Sequence, residues 1–567
     1  MKKHIVLFCL SALLSLFAFG CGSDSEDSES DSLTGVSISG SGKVKTGKTA
    51  TLKAVPTKTG NPSITYTWSI SEGETGSTLD KTDGESVTVT AGATTGTVTI
   101  GLSAKATIDG TEKTVEAENF TIEVTEAETI SASDTPTGWA SYTGTTYYDG
   151  TTQNTPADSE KGTSGGYGAA SSKIYTVSTK SELTSALSGT DKKIIYVNGM
   201  IDLSDGMLPT SASESSTALD SWIATEAAKL TDSTSYGTVS TKVTNLATWK
   251  TWYASGCTNT ADESGVYAAA RSKLSSNYGN KIKVKVPSNT TIIGLDSDCG
   301  FKGGSVQIVG ATNVVIRNLV IQDAFDPFPQ IQDGDGFNAE WDAIVVQGSS
   351  YVWIDHCTLQ DKIAVTDDDF DHVKLSDNVE KKYQVFDGLI DVKGNSSGSV
   401  PSDFVTISYC KIANHDKVGI IGHSDSSDAY DANHLTVTLH NNYYLNCTQR
   451  LPRVRFGHVH VFNNYYQNDG EGRSNSYCFG VGKNAYIYAE KNYFGDKINY
   501  VATMMSSSKP GYITLVDNAG VSKLDGVTST TTWTPSNYYS YEAVSADDSL
   551  VEDVIENAGA GVCTVVQ

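Results

Sequence analysis

Positive charge is scarce in this 567-residue chain: 41 lysines and arginines stand against 66 aspartates and glutamates, a formal net charge of −25. A surface of that sign repels nucleic acid, and no stretch gathers the basic face that binding a phosphate backbone needs. Strings that match Gly-x-Ser-x-Gly (162–166 and 394–398) and the Walker pattern (42–49) occur, but none stands between a strand run and a helical run, so they are not read as a nucleophile elbow or a phosphate loop; cysteines at zinc-binding spacing are missing. Once Cys9 and Cys21 of the N-terminal segment are set aside, seven cysteines remain, an odd number that excludes a complete disulfide framework. Cys257 and Cys299 flank a loop-rich region and are the pair that could bridge in an exported protein. Beyond the first twenty residues no apolar run is long enough to span a membrane.

What is present begins with an export signal. Lys2 and Lys3 precede a short apolar run that ends in small residues before Cys21. Ala18-Phe19-Gly20-Cys21 resembles a bacterial lipobox, with Phe19 a loose fit, which implies that residues 1–20 are removed and Cys21 carries lipid. The alternative is an ordinary cleaved signal that happens to hold a cysteine. The acidic stretch 21–33 is a solvated spacer by composition and resembles the tether of Bacteroidetes-type surface lipoproteins. The expected location is the cell surface, anchored to the outer membrane through Cys21, or else secreted.

The 38% apolar and 19% charged content is that of a globular protein, and abundant Thr, Ser, Gly and Tyr lean toward strands and turns. No helix-rich architecture is expected. Residues 34–126 alternate in short runs such as TATLKAV, ITYTWSI and TVTIGLSAKA, the pattern of a β-sandwich, with Trp68 in phase with Ile64, Tyr66 and Ile70 as a core residue. The segment resembles bacterial immunoglobulin-like modules; a plain spacer is favoured over a carbohydrate-binding module. Residues 127–170 form a linker and the start of the second domain, whose main body is 171–567.

That domain carries a coarse repeat: VVIRNL (314–319), VWIDHC (352–357), VTISYC (405–410), VTLHNN (437–442), VHVFNN (459–464) and EKNYF (490–494). Superposing them puts Leu319, Cys357, Cys410, Asn442, Asn464 and Asn492 at one position. The shortest interval, Asn442 to Asn464, is what one bare coil of a parallel β-helix needs, with insertions confined to loops elsewhere. Stacked asparagines would hydrogen-bond from coil to coil, and Cys357 over Cys410 would extend the column as small buried groups.

The cations concentrate between Asn414 and Asn464, where Lys417, Arg450, Arg453 and Arg455 stand close in sequence. Such a cluster in an acidic chain suits an anionic ligand. Aligning DAIVV, DGLIDV, KVGII and RVRFG on successive rungs, about 4.7–4.9 Å apart, brings those cations and Asp342, Asp387 and Asp391 to one groove. The acidic trio suits a hard divalent cation with oxygen ligands. Asp387 and Asp391 are four apart and so share a strand face, which leaves Leu389 facing outward between them.

The strings VWIDHC, DGLIDVKG (387–394), VTISY (405–409), NHDKVGIIGHSD (414–425), RLPRVRF (450–456), VHVFNNYY (459–466) and ENAGAG (556–561) resemble, in order and spacing, polysaccharide lyase family 1, the pectate lyases, over about residues 137–567. The resemblance implies an all-β, right-handed parallel β-helix after the small sandwich. It also implies calcium-dependent β-elimination of α-1,4-polygalacturonate to 4,5-unsaturated oligogalacturonides by a monomer. Asp342, Asp387 and Asp391 match the family's Ca2+ positions, and Arg450 its proposed base. Lys417 and Arg455 would stabilise the substrate carboxylate, with Arg453 supporting them. Asp355 and His356, on the ladder strand, read as a structural hydrogen bond, and His415 and His423 as orienting or packing groups. The acidic run with Asp371 (367–371) reads as a solvated loop rather than a second calcium site. Two competing readings are a non-catalytic glycan-binding lipoprotein and a hydrolase, the latter requiring paired acid and base carboxylates.

Overall fold

The computed structural model describes residues 30–71, 75–144, 162–259, 263, 265–333, 336–528 and 530–567. The export signal, Cys21 and most of the acidic tether lie outside these residues, as does the middle of the connector. The chain divides into two compact units, Met1–Thr125 and Glu126–Gln567.

In the first unit, Ser32–Ser39, Thr49–Thr59, Ser86–Thr90 and Thr78–Leu79 form one sheet. Lys43–Lys45, Phe120–Thr125, Gly96–Ile108 and Ile64–Ile70 form a second, with Thr111–Glu116 paired to its longest strand. The alternation read from the sequence is the cause. Thr49–Thr59 turns Ala50, Leu52 and Ala54 inward, and Gly96–Ile108 turns Val98, Ile100, Leu102, Ala104 and Ala106 to the same core. Trp68 is buried there, and its indole N–H donates to the Gly84 carbonyl at 2.9 Å.

The second unit is a parallel β-helix. Its strands form three parallel sheets of ten, nine and nine strands, each coil adding one strand to each sheet around a single apolar interior. In the ten-stranded sheet Val314, Val352, Val405, Val437, Val459 and Ile487 pair in register. This is the repeat read from the sequence. The residue before each ladder position is left-handed: Asn318, His356, Tyr409, Asn441, Asn463 and Lys491 all have φ between 47° and 54°. That reversal turns the next side chain inward, where the asparagines form a chain. Asn442 Nδ2 donates to Asn464 Oδ1, Asn464 Nδ2 to Asn492 Oδ1, and Asn492 Nδ2 to Asn518 Oδ1, each at 2.9 Å. Cys410 caps the row by donating its backbone N–H to Asn442 Oδ1, with Cys357 and Leu319 buried beyond it.

Two features depart from the sequence reading. Between the strands Met200–Asp202 and Lys283–Lys285 stand helices Thr217–Ala228, Ser233–Tyr236, Val239–Lys242, Leu246–Ala254 and Gly265–Ile282, with an aromatic core of their own around Trp249, Tyr253, Tyr278 and Phe328. Periodicity did not betray them because they are packed on more than one side: Leu246–Ala254 buries Leu246, Trp249, Lys250, Trp252, Tyr253 and Ala254, not a single stripe. Cys257 and Cys299 are separate buried thiols, as are the other five described cysteines; Cys299 Sγ accepts from the Gly199 and Asp296 amides instead of bridging. The linker packs into the second unit: Trp139 is fully buried among Tyr142, Phe404, Trp533 and Tyr539, and Thr129–Ser131 pairs with the strand Thr564–Val566.

Asn464→Ala is expected to strand the backbone N–H of Asn442 and the carbonyls of Leu439 and Phe462, all bonded by the Asn464 side chain. Each buried group left unpaired costs roughly 1–3 kcal/mol, so the urea midpoint of the β-helix should fall clearly. An unchanged midpoint would show that the ladder adds no stability.

Candidate active site

Four consecutive strands of one nine-stranded sheet, Ile344–Gln347, Ile390–Lys393, Ile420–Ile421 and Arg453–Val454, place the candidate residues on adjacent rungs. Val345 pairs with Asp391, and Ile420 with Arg453. Lys417 bridges between Gly388 and Gln449 on the same row. The rung alignment therefore brings the acidic and basic sets to one face.

Asp342 lies just before its strand, 3% exposed, with Oδ1 accepting the Gly388 amide at 2.9 Å. A side chain at 388 would collide: a Cβ there would stand 2.7 Å from Asp342 Oδ1 and 2.9 Å from Asp391 Oδ1, so the glycine lets both carboxylates close over the backbone. Asp391 Oδ1 accepts the Ile420 amide at 3.1 Å. Lys393 Nζ spans the pair, 3.3 Å from Asp342 Oδ2 and 3.0 Å from Asp391 Oδ2. Asp387 is held apart by Lys417, whose Nζ lies 3.1 Å from Asp387 Oδ1 and also donates to Asn338 Oδ1.

Two ammonium groups hold the three carboxylates: Lys393 spans Asp342 and Asp391, and Lys417 takes Asp387. One expectation is corrected here. Leu389 does not face outward: both the Leu389 and Ile390 amides donate to the Val418 carbonyl, a bulge that turns two successive side chains into the core and restores the phase at Asp391. Asp387 and Asp391 thus reach one side of the sheet through an irregularity.

The electrostatics follow from burial. Asp342 has its pKa raised well above the carboxylate range, first by desolvation and then by Asp391, with Lys393 opposing and Asp387 adding to the rise. Burial also disfavours the Lys393 charge, but Asp391 and Asp342 outweigh it and hold its pKa above the ordinary lysine value. Three carboxylates thus face two ammonium groups, and Asp342 is left short of positive charge. An all-oxygen donor set in that state fits a hard divalent cation, which Asp342, Asp387 and Asp391 would hold.

The arginines lie toward the next rung. Arg450 is left-handed (φ 63°), its carbonyl accepts the Gly419 amide at 3.0 Å, and its Nε is buried without a hydrogen-bond partner among the described residues. Arg453 Nε is likewise unpartnered, and the pKa of Arg453 is lowered by burial, then by Arg455, with Arg450 adding to the depression. Arg455 is less free than expected: its Nε donates to Asp425 Oδ1 at 2.9 Å and its Nη1 to the Gly422 carbonyl at 3.3 Å.

Neighbouring groups position the site. His415 contacts two acceptors, Asp361 Oδ2 through Nδ1 at 2.8 Å and the Asp387 carbonyl through Nε2 at 2.7 Å, so a doubly protonated ring pins the backbone at Asp387. Burial opposes that charge, but Asp361 raises the His415 pKa above its ordinary value. His423 is pushed the other way, by burial and then by Lys393. Asp355 belongs to a buried ion pair with Arg317 at 2.7 Å, on the ten-stranded sheet. In the 367–371 run Asp371 pairs with Lys250 at 3.0 Å and Asp367 with Lys382 and Arg473. Sequence reasoning missed Lys393, although its place two residues after Asp391 on one strand was a usable signal. It also missed Asn338, which arrives on the hairpin Gln330–Gln332/Gly336–Asn338 and carries no local mark.

Lys393→Met is expected to destabilise the protein at neutral pH by about 3–5 kcal/mol, the scale of breaking a buried pair. A carboxylate whose folded pKa is raised binds its proton more readily folded than unfolded, so stability falls as pH rises above the ordinary value of 3.8. The variant's deficit should therefore shrink in mildly acidic buffer. Denaturant melts showing a pH-independent deficit, or none, would remove Lys393 as the counter-ion.

The family model described as pectate lyase matches residues 206–563. Pectate lyase D of Dickeya chrysanthemi is 35% identical over 415 residues, covering 70% of this chain and 87% of that protein. A pectate lyase of Bacillus subtilis (strain 168) is 34% identical over 422 residues, covering 70% and 90%. Among solved structures, the pectate lyase from Acidovorax avenae subsp. citrulli superposes with a TM-score of 0.60 at 25% identity, covering 78% of this chain and 98% of that one. With its parallel β-helix and the acidic and basic rungs that line one face of it, the chain belongs to the pectate lyase family.

Proposed function

We propose that the chain cleaves de-esterified polygalacturonate by calcium-dependent β-elimination, releasing 4,5-unsaturated oligogalacturonides. The observation that carries the proposal is the juxtaposition of Asp342, Asp387 and Asp391 with Lys417 and the three arginines on adjacent rungs of one sheet. The substrate is read from the relatives' name, pectate lyase.

In this reading the C5 proton of a uronate, α to its carboxylate, is removed and the C4 glycosidic oxygen leaves. Removing that proton places charge on the carboxylate, and groups aimed at developing charge supply much of the catalysis. Calcium held by the three aspartates would neutralise the uronate carboxylate and lower the cost of that charge. Lys417 Nζ, on loan to Asp387 and Asn338, is placed to bind the same carboxylate. Arg455, steadied by Asp425, presents the rest of its guanidinium, and Arg453 keeps the local field positive.

Arg450 is assigned the base, taking the C5 proton on a guanidinium nitrogen. A neutral guanidinium is disfavoured in water, and the Arg450 Nε is buried without a hydrogen-bond partner among the described residues. The chain is further proposed to be exported and lipid-anchored through Cys21, with the immunoglobulin-like Met1–Thr125 unit as a spacer. The basic start, apolar run and lipobox-like Ala18-Phe19-Gly20-Cys21 support the anchor.

One assay tests the chemistry. Polygalacturonate should yield ultraviolet absorbance of an unsaturated product, abolished by chelator and restored by calcium. Arg450→Lys keeps the charge but loses the guanidinium, and should cut turnover by roughly 10²-fold or more with binding little changed. Saturated products would indicate hydrolysis, and a near-normal rate for Arg450→Lys would remove it as the base. Cys21→Ser should release the protein from membrane fractions; its retention there would refute the anchor.

A further inference from the structure

A second group of potential ligands lies away from the groove, where the beginning and the end of the catalytic unit meet. Glu128 immediately precedes the strand Thr129–Ser131 and Cys563 immediately precedes Thr564–Val566; the two strands pair in parallel, and the Thr564 amide donates to the Glu128 carbonyl at 2.7 Å. His356 follows the strand Ser350–Asp355 of the ten-stranded sheet, and its left-handed conformation (φ 49°) sends the ring outward from the coil. A Glu128 carboxylate oxygen, a His356 ring nitrogen and Cys563 Sγ all lie within 4.8 Å of one another.

His356 is prepared as a ligand. It is 3% exposed, and its Nδ1–H donates to Asp355 Oδ2 at 2.6 Å. That carboxylate is itself held by Arg317 at 2.7 Å and by the Ser408 hydroxyl at 2.6 Å. A carboxylate on one ring nitrogen sets the tautomer and leaves the other nitrogen's lone pair for a metal. His356 Nε2 is buried, has no oxygen or nitrogen partner among the described residues and faces the Cys563 thiol, an unusual state for a polar atom. Tyr409 stacks on the ring at 4.9 Å with the planes 3° apart and fixes its tilt.

The closing ENAGAG motif delivers the sulfur. Gly559 donates to the Tyr409 carbonyl, Ala560 to Thr358 Oγ1 and Gly561 to Asn318 Oδ1, so the tail is fastened along the turn row that carries His356. Gly561 has φ 82°, and a Cβ there would stand 2.2 Å from Ser297 Cβ; only glycine permits the approach. Two residues later Cys563 is 1% exposed, a free thiol facing His356.

We propose that Glu128, His356 and Cys563 form a zinc site that staples the first and last strands of the catalytic unit to the β-helix. One thiolate, one imidazole and one carboxylate make a borderline-soft donor set that suits Zn2+ and not the hard, oxygen-preferring Ca2+. Tetrahedral zinc, with bonds of about 2.0–2.3 Å, places its ligands about 3.3–3.8 Å apart, a spacing that three atoms already within 4.8 Å of one another can meet, leaving a fourth position to water. The site is independent of the catalytic groove, whose residues stand on a different sheet.

The test uses the full chain, stripped with chelator and then loaded with Zn2+ or Co2+. The expected results are one zinc retained per chain by elemental analysis, a thiolate-to-cobalt charge-transfer band, and a rise in Tm with Zn2+. Cys563→Ser should abolish the band. Glu128→Gln, which changes an exposed side chain and keeps the backbone bond to Thr564, should weaken zinc by no less than the about 10-fold that loss of an outer partner costs, with kcat and KM on pectate unchanged in calcium. A wild-type protein without the band, a band that survives Cys563→Ser, or an affinity that Glu128→Gln leaves unchanged would overturn the site and leave a thiol beside an imidazole.

Discussion

Hydrogen bonding from coil to coil is the constraint on which the catalytic unit depends. Each parallel strand can satisfy its backbone only by matching the strand above and below, so one register runs through the entire stack. The inward asparagines repeat the same bonds with side chains, and because every amide serves its neighbour, the row resists slippage as a unit. Loops of very different length, including the helical insertion after Met200–Asp202, are accepted between coils without disturbing that register.

The groove exploits this rigidity. Residues far apart in sequence are held one strand spacing apart, and burial then magnifies their charges. Gly388 allows two carboxylates over one peptide, Lys393 ties them, and Lys417 holds the third. The arginines stand on the next rung, where burial first and then the Arg455 charge lower the pKa of Arg453, with Asp425 opposing. A surface with a carboxylate set short of positive charge beside guanidinium groups with unused N–H donors is matched to a cation and a polyanion arriving together.

The turn row on the ten-stranded sheet has a different logic. A left-handed residue in each coil is needed to bring the ladder side chain inward, and its own side chain is sent outward as a consequence. At most coils that residue is an asparagine or lysine, but at His356 the outward group meets the protein's own C-terminal segment. The same geometry that closes the core thus creates a place where both ends of the unit are gathered.

Much of the architecture was legible in the residues. Strand alternation, the column from Leu319 through Asn492 and the four rungs bearing Asp342, Asp391, Lys417 and Arg453 were all readable, because a parallel stack translates sequence repeats directly into spatial rows. What depended on contacts between rows was not. The helices of residues 217–282 bury several faces and so lose the periodic stripe. The bulge at Leu389 and Ile390 breaks a two-residue rhythm that sequence alone assumes. Arg455 meets Asp425, and Lys417 meets Asn338, across loops whose paths no local pattern specifies. Glu128, His356 and Cys563 come from three distant segments and show no ligand spacing. Local periodicity determined the strands and their stacking; the partners of each charge were decided by loops folding back, since an ion pair depends on distance in space and leaves no period in the chain.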